Sequence, residues 1–447
     1  RNYLVGTLGA GGRAVYGLDV TDLAGLGTNT VRWEISDTTS GVGADMGYIL
    51  APVKIGVLDN GRWVAIFGNG FSSTNGNATL FVVDLEKAAD NDSTAVQTLN
   101  VGASGGNGLG GVTLIHDGDG KITTIYAGDL KGQMWKFAYN ASATSKFEVS
   151  GGTAMFSATD GGGSAQPITS SPVVYNHLQG GRIVIFGTGK LFETADALTT
   201  SVQTVYAVWD KPADTFSRPM VRSNLTGRTL ASFMGTGLAS STKFFTITDL
   251  AAINWTTSRG WRMDLGSALP AGRVIYPALV VGYDTALISA VAPAQGVLGV
   301  CDSLTGAGIN LLLPVQSGLN PTTKTFDTNG DGVANGDAYT GDAYSIGYAT
   351  AADGVDVVVR SAPVGGGGDS VSDGLSDAGG GGREGDCTGA SCSTGGECVP
   401  SPLCEAGTCL STVQSATAGM TICVPTGAPP SRKMDRVWRR IINPPIK

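Results

Sequence analysis

The residues best suited to chemistry run from Asp327 to Asp337, in the order Asp-Thr-Asn-Gly-Asp-Gly-Val-Ala-Asn-Gly-Asp. Counted from Asp327, side-chain oxygens stand at the first, third, fifth and ninth places, on Asp327, Asn329, Asp331 and Asn335. Gly332 takes the sixth place, where a sharp turn is needed, and the Val333 carbonyl takes the seventh. This is the ligand spacing of an EF-hand-type loop, in which carboxylate, amide and carbonyl oxygens surround a hard cation, here Ca2+. The pattern departs at the twelfth place, where Ala338 stands instead of a bidentate Glu; Asp337, Asp342 or water is left to complete the shell. Pro321 and the Thr-, Tyr- and Gly-rich flanks carry no helical periodicity, so the expectation is an isolated metal loop and not a helix–loop–helix sensor. The competing reading is a surface turn rich in Gly and Asp, and the number of matched places weighs against it.

Other candidates are weaker. His116-Asp117-Gly118-Asp119-Gly120 offers two carboxylates without further ligands and reads as a hairpin turn. Gly102-Ala103-Ser104-Gly105-Gly106 matches the G-x-S-x-G nucleophile pattern, but it lies in a Gly/Asn-rich loop instead of a strand-to-helix elbow. Only two histidines, His116 and His177, exist to act as its base. Gly189-Lys190 lacks the upstream Gly and the following Ser/Thr of a phosphate loop. The sequence therefore points to binding without catalysis.

The elements that hold the metal loop must be built from glycine-rich, weakly charged sequence. The chain has 447 residues, of which 68 are Gly, 42% are apolar and 15% are charged, the last well below the usual share of about a quarter. Such a composition favours many short strands and tight turns over long helices. A repeat supports this. Ala51–Ile55 is followed by Trp63–Phe67 and Gly68-Asn69-Gly70; Gly111–Ile115 by Ile122–Ala127 and Gly128-Asp129; Ser171–Tyr175 by Ile183–Phe186 and Gly187-Thr188-Gly189. The anchors Gly68, Gly128 and Gly187 are spaced 60 and 59 residues apart. After each comes a further strand, Thr79–Asp84, Gln133–Phe137 and Val205–Asp210, and Tyr276–Val280 with Ala286–Val291 is a weaker echo. A period of this length holding several strands indicates an all-β fold, a modified β-propeller of six to eight blades, over residues 1–364. A β-sandwich with coincidental spacing is the alternative.

Net charge is −8, from 29 Lys+Arg against 37 Asp+Glu, and no broad basic face can be assembled for nucleic acid. The basic run from Arg432 to Lys447 reads as a solvated or docked tail. No apolar run reaches membrane-spanning length; the longest include Leu80–Val83, Ala278–Val281 and Leu311–Val315. The chain begins at Arg1 with no signal peptide, as expected of an excised part of something longer. Residues 365–386, rich in Gly, Ser and Asp, read as a flexible linker. Six of the seven cysteines, Cys387, Cys392, Cys398, Cys404, Cys409 and Cys423, then fall within 387–424. Without a Cys-x-x-Cys pair or a nearby His they read as a small disulfide module made in an oxidising, extracytoplasmic compartment, with fifteen pairings open. Cys301 is either a free buried thiol or a partner from that cluster. Residues 425–447 form a tail in which 434–441 is strand-like, with Tyr3–Val5 as the natural partner for closing a ring.

Taken in order, Phe67–Phe71, Asn107–Leu109, Tyr126–Phe137, Thr169–Pro172, Phe186–Lys190, Asp327–Asn335 and Trp438-Arg439 resemble the C-terminal region of the PilY-type family of type IV pilus biogenesis proteins and tip adhesins. The resemblance implies a modified β-propeller with one Ca2+ site that influences pilus extension and retraction. It implies a place at the pilus tip or outer cell surface, or in the periplasm, with minor pilins of the tip complex as partners and a host or surface receptor. Carried over, the Ca2+ ligands are Asp327, Asn329, Asp331, the Val333 carbonyl and Asn335, with Asn335 standing where the family often has Asp. The cysteine-rich insertion has no counterpart in it. A second class is a quinoprotein dehydrogenase, since those propellers also use Asp…Trp blade motifs; Gly17-Leu18-Asp19-Val20 with Trp33 is a partial match.

Overall fold

Along the central strands, residues alternate between two apolar neighbourhoods, so that the central sheets are buried on both faces. The computed structural model describes residues 2–27, 30–281, 284–293, 306–322, 324–330, 343–351, 356–361, 407–413 and 419–425. Asp331, Val333, Asn335, Asp337, Asp342, Cys301, the 365–386 linker, four of the clustered cysteines and the tail beyond Pro425 lie outside the described residues.

Strands β1 (Tyr3–Thr7), β2 (Ala14–Asp19) and β3 (Val31–Ser36) make a first antiparallel sheet. A four-stranded meander follows: β4 (Lys54–Val57), β5 (Trp63–Gly68), β6 (Ala78–Asp84) and β7 (Val96–Val101), with the short helix α1 (Leu85–Ala89) between the last two. Asp84 caps α1 by accepting a hydrogen bond from the Lys87 N–H. The third sheet starts the same way, with β8 (Leu109–His116), β9 (Ile122–Asp129) and β10 (Gln133–Tyr139), and adds β11 (Phe147–Val149) and β12 (Phe156–Ser157) beside β10. The fourth has β13 (Val173–Asn176), β14 (Arg182–Gly187) and β15 (Thr204–Asp210).

Beyond β15 the chain interleaves. β16 (Met220–Val221) runs back to pair in parallel with β12 of the preceding sheet. β17 (Thr226–Arg228) joins the fourth sheet through β20 (Gly260–Asp264), whereas the intervening β18 (Leu230–Met234) and β19 (Lys243–Ile247) belong to the fifth. That sheet is completed by β21 (Leu279–Val280), β22 (Thr285–Ala292), β23 (Ala307–Pro314) and β24 (Gly347–Ala351), in the order β18-β19-β24-β23-β22-β21. A sixth sheet joins β25 (Asp356–Ser361), β26 (Gly407–Val413) and β27 (Gly419–Pro425).

The core shows why the strands read as near-continuous apolar runs. Along β5, Val64 and Ile66 pack with Leu109, Ile125 and Phe137 of the third sheet, while Ala65 and Phe67 pack with Val15, Trp33 and Ile35 of the first. Along β14, Val184 and Phe186 meet Tyr126 and Met134 of the third sheet, whereas Ile183 and Ile185 meet Ile288 and Leu311 of the fifth. Side chains on a strand alternate in direction, so the second, third and fourth sheets are each clamped between their neighbours. The repeat anchors sit where that clamping is tightest. A Cβ on Gly68 would stand 2.2 Å from the Gly110 carbonyl oxygen, one on Gly128 2.2 Å from Ile168 Cγ2, and one on Gly187 2.2 Å from Val274 Cβ. All three contacts are with the segment that leads into, or opens, the next sheet.

Candidate metal centre

The described start of the metal loop lies in the connection between β23 and β24. Phe326 is buried and its ring lies 6.0 Å from that of Tyr348 in β24, which fixes the entrance. One oxygen of Asp327 accepts hydrogen bonds from the backbone N–H groups of Asn329 (3.3 Å) and Gly330 (2.6 Å), turning the chain sharply. Thr328 and Asn329 are buried. Their carbonyls accept from the turn between β18 and β19: Thr236 N–H to Thr328 O and Leu238 N–H to Asn329 O, both at 2.9 Å. Gly330 has φ +80°, and a Cβ there would stand 2.6 Å from Ala239 N. On the side that leads to β24, the Ala343 N–H donates to Thr328 Oγ1 at 2.9 Å. The sequence-predicted ligands Asp327 and Asn329 are thus held together on one hydrogen-bonded turn. Among the described residues no group of three or more His, Cys, Asp or Glu stands ready to hold a metal, and Asp331, Val333 and Asn335 lie outside them. The donor chemistry present, a carboxylate and an amide on a pinned turn, fits a hard cation.

The other sequence candidates serve structure. His116–Gly120 forms the β8–β9 hairpin turn, where Asp117 Oδ1 accepts from the N–H groups of Asp119 and Lys121. Ser104 is exposed in the loop between β7 and β8. His177 is buried, stacks on Trp209 with centroids 4.0 Å apart and meets Trp255 edge-on at 4.3 Å. Burial pushes its imidazole down to about 4, so it is neutral near neutral pH. Lys190 pairs with Glu193 and with Asp196.

Asn69 and Asp129 stand beside the repeat anchors Gly68 and Gly128, and neither residue type reveals its work in the sequence. Asn69 has no exposed surface; its Oδ1 accepts from the N–H groups of Thr79 and Leu109, and its Nδ2 donates to the carbonyls of Asp45 and Asn77. Asp129, equally buried, accepts from Trp135 Nε1 at 3.0 Å, Asn107 Nδ2 at 3.2 Å and the N–H groups of Lys131 and Gln133, both at 2.9 Å. Burial raises its pKa against the pull of these donors. The Asp…Trp pairing of the third sheet is therefore a packing device. A third hub is Asp210, buried and bonded to Tyr126 Oη (2.6 Å), Lys136 Nζ (2.6 Å) and Arg218 Nη2 (3.0 Å), which ties the third sheet to the fourth. The signal for all three was a polar residue fixed beside an anchor glycine or at a strand end.

Comparison with known proteins sharpens this picture. The family model described as the PilY1 beta-propeller domain matches residues 1–243. A type IV pilus biogenesis factor PilY1 of Pseudomonas aeruginosa is 36% identical over 294 residues, covering 58% of this chain and 24% of that protein. A PilY1 homolog of Xylella fastidiosa is 34% identical over 223 residues, covering 47% of this chain and 15% of that protein. The chain thus spans a quarter or less of the length of these two relatives. The crystal structure of the Pseudomonas aeruginosa PilY1 C-terminal domain superposes with a TM-score of 0.67 at 26% identity, covering 94% of this chain and 80% of that one. Among the described residues no helix is long and apolar enough to cross a membrane. With more than half of its length matched, and with central sheets that bury both faces against their neighbours, the chain belongs to the PilY1 β-propeller family.

Proposed function

We propose that this chain is the propeller region of a type IV pilus biogenesis factor that works by calcium-dependent binding and not by catalysis. The observation that carries the reading is the family match across residues 1–243, shared with relatives named type IV pilus biogenesis factors. In this reading the sheets are blades of a modified propeller of six to eight blades. The protein acts outside the cytoplasm, at the pilus tip or outer surface, against minor pilins and a host or surface receptor, in pilus extension, retraction and adhesion. Ca2+ is held by Asp327, Asn329, Asp331, the Val333 carbonyl and Asn335, and it would supply a fixed positive charge beside the 236–239 turn. The three-stranded first sheet opens with β1, whose Val5-Gly6-Thr7 parallels Phe67-Gly68-Asn69 and Phe186-Gly187-Thr188. A counterpart of β4 or β13 is missing from it among the described residues, and 434–441 is the segment proposed to fill that place.

Calorimetry with Ca2+ tests the site. Wild type is expected to bind one ion per chain and Asp331→Ala to lose at least a factor of ten in affinity; unchanged binding would overturn the assignment. In cells, the same substitution in the full-length protein should leave its abundance unchanged and alter twitching. A near-ultraviolet quinone band after reconstitution would instead favour the dehydrogenase reading.

A further inference from the structure

Two of the six clustered cysteines fall inside the sixth sheet, Cys409 in β26 and Cys423 in β27. The antiparallel register of that hairpin runs Gly407↔Pro425, Thr408↔Val424, Cys409↔Cys423, Leu410↔Ile422. The two cysteines are therefore direct cross-strand partners in the backbone register. Direct partners in an antiparallel ladder have Cα atoms about 5.5 Å apart at a hydrogen-bonded pair and about 4.5 Å apart at a non-hydrogen-bonded one. Both separations fall inside the span of roughly 4.4–6.8 Å that a disulfide bridges. On its other side Cys409 is in register with Arg360 of β25, so within the described sheet Cys423 is the one cysteine opposite it.

We infer that Cys409 and Cys423 form a cross-strand disulfide that staples the β26–β27 hairpin. The bond forms by exchange with a disulfide-bearing oxidant of the extracytoplasmic compartment. The two thiols give up two protons and two electrons, one S–S bond forms, and the oxidant's own S–S bond is reduced to a dithiol. Fixing this pair leaves Cys387, Cys392, Cys398 and Cys404, so the fifteen pairings among the clustered cysteines fall to three. The staple also places a covalent clamp on the hairpin that pairs with β25, which lies within residues 1–364.

The sequence supplies a clean test. After thiol alkylation of the full chain, secreted to an oxidising compartment and never reduced, cleavage is made after Lys/Arg, after Glu and at Met. Glu397, Glu405, Met420 and Arg432 then place Cys387 with Cys392, Cys398 with Cys404, and leave Cys409 and Cys423 each alone on a fragment. Mass spectrometry should find fragment 406–420 joined to fragment 421–432, and the join should vanish on reduction. Either fragment joined to a different one, or both carrying the alkyl label, would overturn the pairing. The single variants Cys409→Ser and Cys423→Ser add an independent reading. Each should expose one new alkylatable thiol, on the other residue of the pair; a new thiol appearing elsewhere would also overturn it.

Discussion

At Gly187 a methyl group has no room, because it would sit 2.2 Å from Val274 Cβ in the segment entering the fifth sheet. Gly187→Ala should therefore cost about 1–3 kcal/mol through overpacking. Gly161→Ala, where a Cβ meets nothing within 4 Å, serves as the neutral control, and thermal denaturation of the two variants makes the comparison. His177 gives a prediction with a sign. Its folded pKa of about 4 lies below the ordinary 6.5, so between those values the unfolded chain holds more protons than the folded one. Stability should fall as pH drops through that window, by up to about 3 kcal/mol, and the loss should be complete below it. His177→Phe keeps a ring stacked on Trp209 and removes the proton, so its midpoint temperature should vary less between pH 6.5 and 4. An equal slope in both proteins would show that other groups carry the acid sensitivity.

The metal loop is best understood at the scale of elements, since its first four residues, 327–330, are positioned by a turn that belongs to other strands. Gly330, with φ +80° and Ala239 N in the way of any Cβ, packs closely against the 236–239 turn. Gly330→Ala keeps every proposed ligand, yet it should weaken Ca2+ binding about tenfold by forcing a strained backbone or an undocked turn. Calorimetry reads the difference, and unchanged affinity would mean that the turn does not position the loop. Much of this scale was legible in advance. Trp63–Phe67, Ile122–Ala127 and Ile183–Phe186 became β5, β9 and β14, and the weaker echo at 276–291 became β21 and β22. The β12–β16 pairing, two residues long and parallel, was not legible because so short a segment shows no periodicity. The buried Arg273 was missed for a related reason. It donates to the carbonyls of Lys190, Asp196, Thr199 and Ala271, and backbone acceptors leave no trace in residue types.

For the whole molecule, clamping the second, third and fourth sheets each between two apolar clusters predicts cooperative loss. Phe81 packs in the cluster shared by the first two sheets, and Phe81→Ala should cost about 3–5 kcal/mol. The wild-type and variant chains should each unfold in one calorimetric transition that coincides with loss of the β circular dichroism signal. Two separated transitions in the variant would show that the first sheets melt alone. The glycine anchors foretold the stacking; the polar hubs at Asn69, Asp129 and Asp210 that fix neighbouring sheets were hidden, because a satisfied buried Asp or Asn looks like a turn residue in sequence.

The loan of β16 to the third sheet has a consequence for anyone recombining these proteins. A crossover placed between repeats, near residue 160, would separate β12 from its partner two hundred and twenty residues into the chain. The same holds for β17 and β20, which enclose two strands of the next sheet. Exchange of segments between relatives should therefore respect a longer unit, from β8 through β24, and ribosomal synthesis must carry the chain past Val221 before the third sheet can acquire its last edge.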